Sequence, residues 1–260
     1  MDKLNSINNI KMLSNAKGIS GFEDEVVSIL KGLTKKLGTN KEDSIRNLYV
    51  YREGNTGNKP IVQLDAHTDE VGFVVQAIKP NGLIRFLNVG SWITHNIPAH
   101  KVLVRNKFGK YVPGIVSSTP PHFMSEAQKN QPLDLSALFI DVGARSDEEV
   151  RNKFGIRIGE PVVPMVDCTY DEENDIIMGK AFDCRIGCAV IVDTLDQLKG
   201  KQLKVDVLAT FSSQEEVGGR GSKLNSQHTN ADIAIVFEGC PADDNFAEPY
   251  MVQTALKKGP

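Results

Sequence analysis

Four acidic or imidazole groups each follow directly on a strand-like run of the 260-residue chain. His67 and Asp69 come after PIVQLDA, Asp183 after IIMGKAF, Glu215 and Glu216 after VDVLATFSSQ, and Glu238 after IAIVF. Ligands of open α/β sheets bind outside the carboxyl ends of the strands, so these groups are expected to meet in one crevice. Divalent ions that activate water take imidazole and carboxylate ligands, and two-ion hydrolytic sites add a carboxylate that bridges ions roughly 3.5–4 Å apart. One histidine with several carboxylates suits a pair of zinc, cobalt or manganese ions. Asp69, two residues beyond His67, can accept the imidazole's other N–H and fix its tautomer. The adjacent Glu215 and Glu216 can divide the work if one ligates metal and the other stays free as general base.

Each residue taken singly has a plainer explanation. His67 could be a hydrogen-bonded histidine at a strand end, Asp183 and Glu238 helix caps or surface charges, and Glu215–Glu216 the solvated start of a helix. Together these explanations weaken, because surface acids have no reason to track one edge of a sheet. His95, His100, His122 and His228 carry no such pattern.

The elements that must position the site can be read from periodicity. Ser20 and Glu23 have the spacing of a capping box, and Val26, Leu30 and Leu33 recur at helical spacing, which predicts that a helix reaching toward Gly38 opens the fold. Residues 45–51 and 61–66 read as strands separated by turn chemistry. Short β-rich runs alternating with Gly, Pro and Asn fill residues 74–163, with one short helix capped at Ser146 and Glu149, the texture of a small barrel or sandwich. Residues 176–178 and 205–211 are strand-like, residues 185–198 form a helix stopped by Gly200, and the apolar run 233–237 predicts a buried parallel strand. The fold class is therefore α/β: a mixed sheet flanked by helices, from residues 1–73 and 164–260, interrupted by an inserted small β-barrel or sandwich domain at 74–163.

Composition removes other classes. With 30 Lys and Arg against 33 Asp and Glu the formal charge is −3, and no basic stretch can follow a phosphate backbone, so no nucleic-acid partner is expected. No apolar run approaches the roughly 20 residues that cross a bilayer, and the N-terminus lacks a signal-peptide pattern, so a cytoplasmic protein without a membrane partner is expected. The four cysteines form no CxxC pair; Cys184 and Cys188 could share a helix face, but small buried thiols account for them better than a metal site.

Four ordered motifs carry a family resemblance: DAHTDEVGF, GKAFDCRIG, QEEVGGRGS and FEGCPADD, supported by SGFE near the start, PPHF in the middle and IDVGARSDEEV. The chain resembles the dinuclear metalloaminopeptidases that include glutamyl aminopeptidases and large tetrahedral aminopeptidases, some of which have been labelled cellulases or endoglucanases. The resemblance implies a zinc-peptidase-like fold and hydrolysis of N-terminal residues from short peptides. It implies that His67 and Glu238 hold one metal, Asp183 bridges, Glu216 holds the second, Glu215 is the general base and Asp69 orients His67. The insert would be a β-barrel that mediates homo-oligomerisation. Many relatives have Asp where Glu238 stands, and Asp or Asn where Cys184 stands beside a peptide that is often cis. Relatives also continue past LKKGP with a further metal-binding histidine, so the sequence looks C-terminally truncated, with Asp183 and Glu216 alone for the second ion. That leaves a rival role as a catalytically impaired metal-binding or oligomerising fragment. A glycosidase is a weaker rival, since its two acids must flank the sugar bond about 5–9.5 Å apart, which consecutive acids at one metal site do not offer.

Overall fold

The computed structural model describes residues 2–255 and 257–258. Two helices, α1 (Lys3–Asn15) and α2 (Asp24–Thr34), precede strands β1 (Gly38–Glu42), β2 (Leu48–Arg52) and β3 (Ile61–His67). Six strands follow: β4 (Gly72–Ile78), β5 (Ile84–Val89), β6 (Lys101–Arg105), β7 (Tyr111–Ser118), β8 (Leu138–Asp141) and β9 (Pro161–Pro164). Short helices α3 (Glu126–Lys129) and α4 (Asp147–Asn152) sit among them. The hairpin β10 (Thr169–Asp171) and β11 (Ile176–Met178), then α5 (Phe182–Gln197), β12 (Asp206–Ser212), α6 (Arg220–His228) and β13 (Ile233–Val236) complete the element order.

The mixed sheet has the order β1-β2-β12-β3-β13. β12, β3 and β13 run parallel, and β2 and β1 extend the sheet antiparallel. Every residue of β12 is buried, as expected of a central strand covered on both faces. Leu30 of α2, Ile191, Val192 and Leu195 of α5, and Leu64 and Phe211 of the sheet share one core. Strand register sets the site: Ser212 pairs with His67, and Val236 pairs with Asp65. The ends of three parallel strands are thereby level, and the residues just beyond them share one edge.

The other six strands close into a barrel in the order β4-β5-β8-β7-β6-β9. Alternation builds it: Val102 and Val104 of β6, and Leu138 and Ile140 of β8, point inward with Phe73, Phe86 and Val162. Its chain enters right after β3, where Ile19 makes an isolated bridge with Glu70.

Several expectations need correction. α1 opens the fold ahead of α2; its sequence is largely polar, and it is held by side-chain bonds such as Asn9 to Asp193 rather than by a broad apolar face. Ser20 and Glu23 form no capping box: α2 starts at Asp24, its cap has no side-chain bond, and both side chains point to tertiary partners. β1 was not expected because GTNKE has no apolar alternation; it exists by pairing with β2 alone. β13 is parallel as expected but exposed, not buried, because among the described residues only β3 flanks it. The 74–163 segment holds more than one helix: α3 has a complete capping box of Ser125 and Gln128, whereas at α4 Ser146 accepts from the Glu149 N–H and Glu149 accepts from Arg145.

Candidate metal centre

His67, the last residue of β3, is 3% exposed, and its ring is fixed from behind. Nδ1 lies 3.1 Å from the Asp69 backbone oxygen, which can only accept, so Nδ1 carries a proton and Nε2 is the nitrogen turned toward the acids, where an ion would take its lone pair. Facing Nε2 are Asp183 Oδ1 at 2.9 Å and Glu238 Oε1 at 3.5 Å. Asp183 arrives from the first turn of α5, where Ala181 takes a left-handed conformation (φ 53°), Asp183 and Cys184 depart from helical angles, and the peptide between them is cis. Glu238 arrives two residues beyond β13, and its Oε1 accepts from the Gly239 N–H at 2.8 Å.

Cys184 joins this group. Potential donor atoms of His67, Asp183, Cys184 and Glu238 all lie within 4.8 Å of one another. The Cys184 thiol donates to the Phe237 carbonyl, and burial, then the neighbouring Glu238, push it up to about 12. Cys188, one turn on, donates to the His67 carbonyl and is fully packed in the core.

Asp69 does more than face an imidazole. Its carboxylate lies 3.5 Å from His67 Nδ1, while Oδ1 accepts from the Glu215 N–H at 2.9 Å and Oδ2 from the Glu216 N–H at 3.1 Å and the Ser20 hydroxyl at 2.5 Å. One buried acid thus joins the His67 turn to the loop after β12. Although burial opposes its charge, the bonds from His67, Ser20 and Glu215 hold Asp69 below the ordinary carboxylate range.

The electrostatics call for a cation. Burial, with Asp69, Asp183 and Glu215 outweighing the opposing His67, raises Glu216 to about 7; burial and Asp183 raise Glu238. His67 moves to about 9, because Asp69, Asp183 and Glu238 together overcome the penalty of burying its charge. Carboxylates crowded onto one imidazole lack positive charge, and a divalent ion supplies it. The donor set of imidazole and carboxylates therefore fits the implied metal. Of the four expected ligands, His67, Asp183 and Glu238 cluster directly, and Glu216 stands beside them in a cleft that Asp183 also lines, with Glu70, Lys180, Trp92 and His100. A second cleft, of about 660 Å³, also reaches Asp183 and is walled by Phe182, Val190, Phe237, Glu238 and Cys240.

The family model described as M42 glutamyl aminopeptidase matches residues 46–260. The chain belongs to the M42 glutamyl aminopeptidase family. Among M42 relatives, the FrvX protein of Escherichia coli (strain K12) is 35% identical over 235 residues, which cover 90% of this chain and 64% of that protein. The chain thus spans a little under two thirds of that relative's length. The structure of a TET aminopeptidase from a marine sediment archaeon, a Thaumarchaeota archaeon, superposes with a TM-score of 0.92 at 32% identity, over 98% of this chain and 71% of that one. The TET1 peptidase of Pyrococcus horikoshii, which can assemble into a tetrahedron or a large octahedral shell, superposes with a TM-score of 0.80 at 26% identity, over 91% of this chain and 70% of that one. The α/β sheet with a closed barrel is therefore the M42 fold.

Sequence reasoning missed the roles of Ser20 and Glu23, which reach the metal-centre loops from the N-terminal side. A local capping signature hid them. Gly239 was also passed over: a Cβ there would lie 2.9 Å from Asp183 Cγ, so only glycine lets the strand end pass the Asp183 carboxylate.

Proposed function

We propose that this chain is a metal-dependent aminopeptidase that removes N-terminal residues from short peptides. The observation that carries the proposal is the meeting of His67 Nε2 with Asp183 and Glu238 at the ends of two parallel strands and a helix, with Glu215 and Glu216 on the adjoining strand end. His67 and Glu238 would hold one divalent ion, Asp183 would bridge, and Glu216 would hold a second. Zinc or cobalt suits these donors best, with manganese also compatible. Bound ions of this kind polarise the scissile carbonyl and acidify the attacking water. Glu215 takes the proton of that water and passes it to the leaving amine. Asp69 keeps the His67 proton on Nδ1 and fixes the Glu215–Glu216 backbone. The fragment reading is not favoured, since the His67, Asp183 and Glu238 cluster is assembled.

The assembly of the Pyrococcus horikoshii neighbour supports a homo-oligomer; the barrel would be its contact region. The division of labour between the paired glutamates is tested by substitution. Glu215→Gln is expected to lower aminoacyl-anilide turnover by about 10²-fold or more with metal content unchanged, whereas Glu216→Gln loses metal as well as rate. Elemental analysis of both variants decides; equal metal loss in the two would sink the assignment.

A further inference from the structure

The loop that carries Glu215 is held in an unusual way. Four consecutive backbone N–H groups, from Ser213 to Glu216, donate to side-chain oxygens: Ser213 to Asn47 at 2.8 Å, Gln214 to Glu23 at 3.1 Å, and Glu215 and Glu216 to the two oxygens of Asp69. Gln214 is left-handed, with φ 55°, a conformation that a side chain with Cβ adopts only when its surroundings enforce it. The Gln214 carbonyl accepts from the Arg220 N–H at 3.2 Å, and its N–H is held by the Glu23 carboxyl. That carboxyl is fully buried just before α2; its Oε1 also accepts from the Gly21 N–H at 2.8 Å, while Oε2 has no hydrogen-bond partner. Ser20, on the same segment, donates to Asp69.

A helix cap does not explain this arrangement, because the cap of α2 has no side-chain bond. A carboxyl group that leaves one oxygen buried and unpartnered is costly, so the contacts its other oxygen makes must offset that cost. Apart from the Gly21 N–H on its own segment, what Glu23 holds is the amide directly before Glu215. We infer that Glu23 is a positioning residue that sets the backbone of Gln214 and so aims the Glu215 carboxylate at the metal centre, with Ser20 acting in the same sense through Asp69. The inference rests on the reading of Glu215 as general base. A misplacement of about 1 Å at a proton-transferring group lowers turnover by roughly 10²-fold while leaving substrate affinity alone, so Glu23 should affect kcat rather than KM.

The test uses the 260-residue chain loaded with zinc or cobalt and an aminoacyl anilide. Glu23→Leu is expected to lower kcat by about tenfold or more, with KM within about threefold and metal content unchanged. Glu23→Gln, which keeps an acceptor at the same reach, should recover most of the rate. Gln214→Gly placed in the Leu background should also restore part of it, since glycine takes positive φ without strain. Independently of turnover, amide hydrogen exchange of the metal-free chain should show Gln214, Glu215 and Glu216 losing protection in Glu23→Leu while β12 keeps its own. Unchanged protection at those three amides overturns the proposal, as does a fall in KM-linked affinity or metal content that accounts for the whole loss. Glu215→Gln measured alongside separates the two ideas. If it retains full rate the general-base reading fails, whereas an inactive Glu215→Gln beside a fully active Glu23→Leu defeats the positioning role alone.

Discussion

Each donor at the centre is aimed by a partner that is not itself a ligand. The Asp69 carbonyl sets the His67 tautomer, the Gly239 N–H holds Glu238, and the missing Cβ of Gly239 makes room for Asp183. Gly239→Ala should therefore displace the Asp183 carboxylate and weaken metal binding by about tenfold, with thermal stability close to that of the parent. Calorimetric titration with zinc or cobalt checks this, and unaltered affinity would show that the alanine is absorbed elsewhere. The types and spacing of His67, Asp69, Glu215, Glu216 and Glu238 were readable in the sequence because each stands at or just beyond the end of an apolar strand of the mixed sheet, whereas Asp183 comes from the first turn of α5, since the strand expected before it pairs, among the described residues, only within the β10–β11 hairpin. Ser20 and Glu23 were not, because S-x-x-E is the same string whether its side chains turn back to a helix end or reach across to a loop nearly two hundred residues away.

Among the elements, parallel register accounts for the site and buried charge for the attachment of α1. Arg185, fully buried in α5, donates from Nη1 to the carbonyls of Leu13 and Ala16 and from Nη2 to that of Gly18, while Lys180 donates to the Ala16 carbonyl and pairs with buried Glu70. These bonds clamp the end of α1 and the segment just beyond it onto α5. Arg185→Met is expected to cost about 3–5 kcal/mol, because Glu70 and three carbonyls lose a partner at once, and urea denaturation measures it. A loss under about 1 kcal/mol would mean that Lys180 alone anchors the segment. None of this was visible in the sequence, where α1 has little apolar periodicity and Arg185 reads as an ordinary helix charge. β13 failed for another reason: a short apolar run looks the same in a central strand and at an edge, and only the count of neighbouring strands, a property of the whole sheet, decides its exposure.

At the scale of the molecule, the proposed metal ligands come from positions 67, 183 and 238, so an ion bound there would tie together segments that the chain itself separates widely. Binding to the folded state alone stabilises by mass action, by about 2.7 kcal/mol at a hundredfold excess over Kd. Stripping metal with a chelator is therefore expected to lower Tm by roughly 5–10 °C, reversed by adding back zinc or cobalt. Calorimetry reads the shift, and an unchanged Tm would count against a site formed across these elements. The alternation of barrel and sheet segments was legible because the texture of the sequence changes near β4 and again near β9, with short β-rich runs between them in place of longer helical periods.

The cysteines offer an experimental handle. Cys168, Cys184 and Cys188 are buried, whereas Cys240 is exposed and lines the 660 Å³ cleft beside Glu238. Thiol reagents act on the accessible thiolate, and burial holds the Cys184 and Cys188 thiols well above their ordinary range. A maleimide dye added to the native chain thus has one favoured attachment point, at the lip of the cleft that adjoins the metal centre. Its emission would follow arrivals at that cleft in real time, without any engineered residue and without reliance on turnover.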